Sequence, residues 1–196
     1  MAPQTFIFIG RSGCGKGTQV ELLKKVLKEK DPTGEILHLE TGVKFREFIS
    51  GSSYSSKLAH DIATTGSRQP DFLAIRFWSD FLVDSFDGVE HVICDGICRS
   101  LPEASVFTSA MDFYSRSVSV VYLNVSREWS EERLMARGRE DDKNEEEVKK
   151  RLDWFDKDTL PAIKYFTLNP AYTVLDINGE QSIEDVHKEI VQKLGW

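Results

Sequence analysis

Cysteine is scarce in this sequence, and so are long hydrophobic stretches. Only Cys14, Cys94 and Cys98 carry thiols among 196 residues, an odd number that leaves one unpaired under any pairing. That excludes a disulfide framework as the source of stability and fits a reducing interior. The apolar run Phe6–Ile9 falls far short of the roughly 20 residues that span a bilayer, and no other stretch comes close. No basic, cleavage-like segment precedes it, so a cytoplasmic protein with no membrane partner is expected. Positive charge is in deficit as well: 25 Lys and Arg face 32 Asp and Glu, a net charge of −7. Non-specific nucleic-acid binding, which needs a basic surface to neutralise phosphates, is therefore disfavoured. A nucleotide ligand stays open, because a few placed arginines suffice for it. The four histidines are scattered at no ligand spacing and read as packing or surface residues. No repeat, low-complexity tract or Pro/Gly-rich linker divides the chain, so one domain over residues 1–196 is expected.

What is present is an alternation. Short β-leaning runs at Phe6–Ile9, Ile36–Leu39, His91–Cys94, Val118–Val125 and Tyr172–Ile177 are separated by segments with helical spacing of apolar residues. Those segments include Gln19–Leu27, Phe72–Val83, Glu131–Met135 and Val186–Leu194. Strand alternating with helix predicts an α/β fold, a parallel five-stranded sheet flanked by helices. Arg137–Lys150 is a dense mixture of charges, read either as a solvated helix junction or as a loop over a site.

The strongest signal follows the first strand: Gly10-Arg11-Ser12-Gly13-Cys14-Gly15-Lys16-Gly17-Thr18, leading into a helix near Gln19. Small residues let successive backbone N–H groups turn inward around anionic phosphates, and the following helix adds its positive N-terminal end. Gly13 to Thr18 are thus candidates to hold ATP. Lys16 is placed to reach the β- and γ-phosphates, and Thr18 to serve a Mg²⁺ sphere. The general Walker pattern has Ser or Thr directly after the lysine, whereas Gly17 intervenes here.

Gly15-Lys16-Gly17-Thr18-Gln19 is the form that resembles adenylate kinases and their relatives. Further segments carry the resemblance along nearly the whole chain: Thr41 to Arg46, Gly66 to Asp71, Asp95-Gly96-Ile97-Cys98-Arg99, and Arg133, Arg137, Arg139, Asp141-Asp142 and Arg151. The resemblance implies a P-loop NTPase-type core with a small monophosphate-binding insert over 33–66 and a minimal lid over 138–145. It also implies a monomer that moves the γ-phosphoryl group of ATP to a nucleoside monophosphate. Phosphoryl transfer needs positioning and converging cations rather than covalent help, and the planar fork of arginine suits that task. By resemblance, Lys16, Arg99, Arg137, Arg139 and Arg151 are the catalytic set. Arg133, Arg137 and Gly179 join the phosphate loop around ATP, Arg133 stacking on adenine. Thr41, Arg46, Ser67, Arg68, Gln69, Gly96, Arg99, Glu103, Arg139 and Arg151 surround the monophosphate. Thr18 and Asp95 serve Mg²⁺, largely through water, while Asp141 and Asp142 pair with lid arginines. The short lid lacks the metal-binding positions of longer lids, so no structural zinc is expected.

The acceptor-base pocket departs from the family pattern. Cys98 replaces a proline, Val43 a common aspartate, and Arg68 and Gln69 stand at usually apolar positions. Glu103 occupies the place of the glutamine that reads adenine; it either reads the acceptor base or turns to solvent, Arg68 or Arg99 and reads nothing. A carboxylate only accepts hydrogen bonds and matches the paired N1–H and N2–H donors of guanine better than adenine. Thr41 and the backbone near Gly66 keep the adenine-reading form. AMP is therefore the leading acceptor, GMP the competitor, and pyrimidine monophosphates stand behind them. A silent nucleotide-sensing module is the alternative from outside enzymes, opposed by the presence of Lys16 and the lid arginines.

Overall fold

The strand Thr5–Gly10 (β1) shows how the chain builds its interior. In the computed structural model, which describes residues 1–137 and 145–196, Phe6 and Phe8 enter one buried layer and Ile7 and Ile9 another. A strand apolar on both sides belongs inside a parallel sheet with helices over both faces. β1 is the central strand of such a sheet, joined by β2 (Ile36–Glu40), β3 (His91–Asp95), β4 (Val118–Asn124) and β5 (Tyr172–Asn178). All pairings are parallel, in the order β2-β3-β1-β4-β5. Each expected apolar run is a strand, with ends moved by about one residue.

The helices among the described residues are α1 (Lys16–Lys30), α2 (Thr41–Ile49), α3 (Tyr54–Thr64), α4 (Asp71–Ser85), α5 (Leu101–Phe113), α6 (Arg127–Arg137), α7 (Glu145–Trp154), α8 (Leu160–Leu168) and α9 (Ile183–Lys193). A π-helical turn, Phe155–Thr159, joins α7 to α8. α1 and α9 cover the Phe6 face with Val20, Leu23, Leu27, Val186 and Ile190. α4, α5 and α8 cover the other face with Trp78, Leu82, Phe107 and Phe166. Leu134, Val148 and Leu152 form a smaller buried cluster between α6 and α7. Among the described residues no helix is long and apolar enough to cross a membrane, and Cys14, Cys94 and Cys98 are buried free thiols.

The strand order decides where a ligand can sit. β1 leads out to the edge strand β2, β3 returns between them, and β4 lies on the opposite side of β1. Connections leaving β1 in both directions open a crevice at its carboxyl end. The glycine-rich loop after β1 and the Asp95–Arg99 turn after β3 both lie there, because β1 and β3 run in register with Phe8 beside Asp95.

Phe166 is fully buried against this sheet. Phe166→Ala should lower the unfolding free energy by about 3–5 kcal/mol, seen as a drop in the denaturant midpoint at unchanged slope. A loss below about 1 kcal/mol would show that this layer is not tightly packed.

Candidate active site

The loop from Gly10 to Gly15 is held from several directions. Ser130 Oγ on α6 donates to the Ser12 carbonyl at 2.5 Å, and Arg11 Nε donates to the Val125 carbonyl at 3.2 Å. Arg11 also pairs with Asp156 in the π-helical turn and lies over the Phe155 ring at 4.5 Å. Gly15 takes φ +93°, a conformation glycine adopts without steric cost, and it sits where α1 begins. Lys16 arches back over the loop, its Nζ donating to the carbonyls of Gly10 at 2.9 Å and Arg11 at 3.0 Å. The loop therefore has a fixed outline, with its lysine resting on backbone oxygens.

The second wall is the turn after β3. Gly96 takes φ +83°, and a Cβ there would meet Arg99 Nη2 at 2.8 Å, so the guanidinium lies directly over this glycine. Thr41, at the start of α2, donates its hydroxyl to the Gly96 carbonyl at 2.9 Å. Phe45 and Phe48 pack edge-on against Phe77 of α4, which orients α2 with Arg46 towards the same opening.

Between these walls lies a cleft of about 790 Å³, within the range of small-molecule sites. It brings together Gly13 to Thr18, Arg46, Asp95, Gly96, Arg99, Arg133, Arg151 and Gly179. These residues come from six separate stretches of chain, and cations enter from both sides. Arg133 lies over the Trp129 ring at 4.7 Å, leaving the other guanidinium face for a flat ligand. Gly179 follows β5 with its N–H on the Asn124 carbonyl at 2.9 Å; a side chain there would strike Val125 Cγ1 at 2.6 Å. Trp129, Trp154, Gln181 and Glu40 also line the cleft, and sequence reading did not single them out. Tryptophan at helical spacing carries no signal separating core from ligand wall. Only the packing of α6 and α7 places Trp129 and Trp154 at this surface.

Other expected residues lie off the cleft lining. Ser67 accepts from Thr65 Oγ1 at 2.8 Å, and Gln69 Nε2 donates to the Ala59 carbonyl at 2.8 Å. Arg68 forms ion pairs with Asp71 at 2.6 Å and Asp158 at 3.2 Å. Ser100 Oγ donates to the same Asp71 at 2.6 Å. Glu103 is 2 % exposed, and its carboxylate accepts the Arg99 N–H at 2.7 Å. Arg139, Asp141 and Asp142 lie outside the described residues. Arg137 ends α6, and its side chain is likewise outside them. Burial pushes the Cys98 thiol well up from its usual range, so it stays neutral beside this turn.

Comparison with known proteins gives a consistent answer. A family model described as adenylate kinase matches residues 8–170. An adenylate kinase of Prochlorococcus marinus is 33% identical over 190 residues, covering 96% of this chain and 97% of the relative. Adenylate kinase 1 of a Nostoc species is 30% identical over 190 residues, again covering 96% and 97%. One from Rickettsia bellii is 29% identical, covering 96% of this chain and 98% of the relative.

The ion pair beside the cleft has a pH signature. A hydrogen bond from Arg68, with Ser100 adding to it, holds the Asp71 carboxyl below its ordinary 3.8 despite partial burial. The folded-state value is the lower one, so this stabilisation is complete above the unfolded value and is lost as pH falls through the folded one. Asp71→Asn should flatten the acid limb of a stability-against-pH curve below about pH 4. An unchanged acid limb would show that the pair adds nothing to folding.

Proposed function

The chain belongs to the adenylate kinase family and is a nucleoside monophosphate kinase, and from that premise we propose that its reaction is ATP + AMP = 2 ADP. The observation that carries this reading is the single cleft with the phosphate loop on one wall and Arg46 and Arg99 on the other. Two anionic substrates meeting end to end need cations where their phosphates approach and little else.

Roles follow from place and chemistry. The loop amides and Lys16 bind the ATP phosphates, exchanging the Lys16 contacts to Gly10 and Arg11 for phosphate oxygens. Arg133, braced by Trp129, stacks on adenine, and Gly179 offers its backbone beside that base. Arg46 and Arg99 hold the acceptor phosphate, with Thr41 and Gly96 shaping its pocket. Arg151 serves the transferring group, joined by Arg137 and Arg139 on the strength of the sequence resemblance. Ser67, Arg68 and Gln69 form the backing of the acceptor pocket rather than its surface. Residues 33–66 act as the acceptor insert and 138–145 as the lid, whose closure keeps water from the γ-phosphate.

Adenylate kinases use Mg²⁺ with ATP, and the residues here fit that ion. The Thr18 hydroxyl and the Asp95 carboxylate face the same cleft and are hard oxygen donors. No group of three or more His, Cys, Asp or Glu able to hold a metal occurs among the described residues. A site with one or two protein oxygens suits an ion that keeps its waters and binds chiefly through substrate phosphates. When bound, Mg²⁺ neutralises the charge developing between the β- and γ-oxygens.

Two observations favour AMP over GMP and the pyrimidine monophosphates. The relatives matched over nearly their full length carry adenylate kinase as their name. The Glu103 carboxylate, the sequence feature that spoke for guanine, is engaged by the Arg99 N–H. A silent sensing module is opposed by Lys16, Arg99, Arg133 and Arg151 all facing one cleft. We further propose that the protein acts as a cytoplasmic monomer.

A coupled assay with Mg·ATP against AMP, GMP, CMP, UMP and dTMP tests the acceptor; fastest ADP formation with AMP is expected. Preference for GMP would rename the substrate and keep the mechanism, whereas ATP binding without any turnover would favour the sensing module. Lys16→Ala and Arg99→Ala should each lower kcat/KM by at least about a hundredfold, with unchanged circular dichroism. Robust activity in either variant would remove that residue from the catalytic set.

A further inference from the structure

The backbone that carries Arg99 is held in a rare shape. Cys98 is fully buried at φ +56°, in the left-handed region that residues with side chains seldom enter, and Gly96 two positions earlier takes φ +83°. A turn of this kind belongs to neither strand nor helix, so its N–H groups must find acceptors elsewhere. They find Glu103. Its Oε2 accepts the Arg99 N–H at 2.7 Å, and the Cys98 N–H lies against the same carboxylate.

Glu103 is the third residue of α5, whose N-cap Ser100 accepts the Glu103 N–H at 3.3 Å. A glutamate at that helix position commonly reaches back to the N-cap residue's own N–H. Here it reaches one residue further, to the N–H of Arg99. The other side of Arg99 is also anchored: its carbonyl accepts from Thr159 Oγ1 at 3.0 Å, and Thr159 is 2 % exposed. Ser100 Oγ is in turn fixed by its hydrogen bond to Asp71. Both peptide groups of Arg99 are thus gripped by buried side chains, and its guanidinium passes over Gly96 into the cleft.

We propose that Glu103 is a positioning residue for Arg99, a buried carboxylate that clamps the Cys98–Arg99 turn and aims the arginine at the acceptor phosphate, and that it does not read the acceptor base. The inference rests on the functional reading above, which places Arg99 on that phosphate. It also explains why an acid stands here. A carboxylate can accept two backbone N–H groups at once, whereas an amide in the same rotamer has a single oxygen and turns its own N–H₂ towards the second donor. Burial pushes the Glu103 carboxyl above its ordinary value, and the N–H groups of Arg99 and Cys98 offset part of that cost.

The test compares Glu103→Gln with Glu103→Ala, the first keeping the side-chain volume should the second fail to fold. Glu103→Gln should lower kcat/KM for AMP and for GMP by the same factor, about 10- to 100-fold, with ATP affinity unchanged. A calorimetric cycle on AMP affinity should be non-additive, so that adding Glu103→Gln to Arg99→Ala weakens AMP binding less than twofold further. Amide hydrogen exchange at Arg99 should be at least tenfold faster in Glu103→Gln than in the wild type. A changed AMP:GMP ratio, losses that multiply in the cycle, or unchanged exchange would each overturn the proposal. Wild-type protein that turns over no monophosphate would sink the functional reading instead, and the exchange measurement would still judge the clamp.

Discussion

The hydrogen-bonded pairing of β1 with β3 is the constraint on which the site depends. These strands are remote in sequence, yet the last residue of β3, Asp95, lies beside Phe8, two residues short of the end of β1 at Gly10. The glycine-rich loop follows one end and the arginine-bearing turn follows the other, so the separation of these two walls of the cleft is set by the spacing of neighbouring strands. The apolar residues that drive the pairing, Phe6 to Ile9 and Val92 to Cys94, are buried on both faces of the sheet. A one-residue slip would exchange the faces of the whole strand. The hydrophobic pattern therefore fixes the register, and the register brings the loop after β1 and the turn after β3 to one cleft.

A second layer of organisation lies in the π-helical turn Phe155–Thr159. Its side chains fan out to different parts of the cleft's support: Asp156 to Arg11 of the phosphate loop and Arg127 of α6, Asp158 to Arg68, and Thr159 to the Arg99 carbonyl. A π-turn inserts an additional residue into a helical path and so changes the direction of successive side chains, which is why such turns gather at functional sites. Here one short segment ties the glycine-rich loop, Arg68 and the Arg99 turn into a common frame. It also follows directly from α7, which carries Arg151 and Trp154 to the cleft. The residues that face the cleft are thus braced by polar side chains located behind them.

The phosphate loop was fully legible in the sequence because its chemistry is local. Glycines, lysine and threonine at fixed offsets between a strand and a helix perform their task with their own backbone. The strands were legible for a related reason, since a run apolar on both sides has few places to go other than the middle of a covered parallel sheet. Glu103 was the instructive case. Its residue type left two readings open, a reader of the acceptor base or a partner of a nearby arginine, and the packing turns its carboxylate onto the Arg99 backbone. Arg68 likewise faces Asp71 and Asp158, carboxylates brought to it by α4 and by a segment 90 residues away in sequence.

By itself the sequence determined the α/β class and the nucleotide-binding character of the chain, because each of these is written in local pattern or residue type. The tertiary structure alone decided which side chains reach the cleft and which brace it. Trp129 and Trp154 arrive at the site through the packing of α6 and α7, and Arg68 and Glu103 are taken up by partners behind it. The physical reason is common to all four. A side chain's residue type states what it can bind, but its partner is whatever the fold brings within reach, the preceding turn for Glu103 and the remote Asp158 for Arg68.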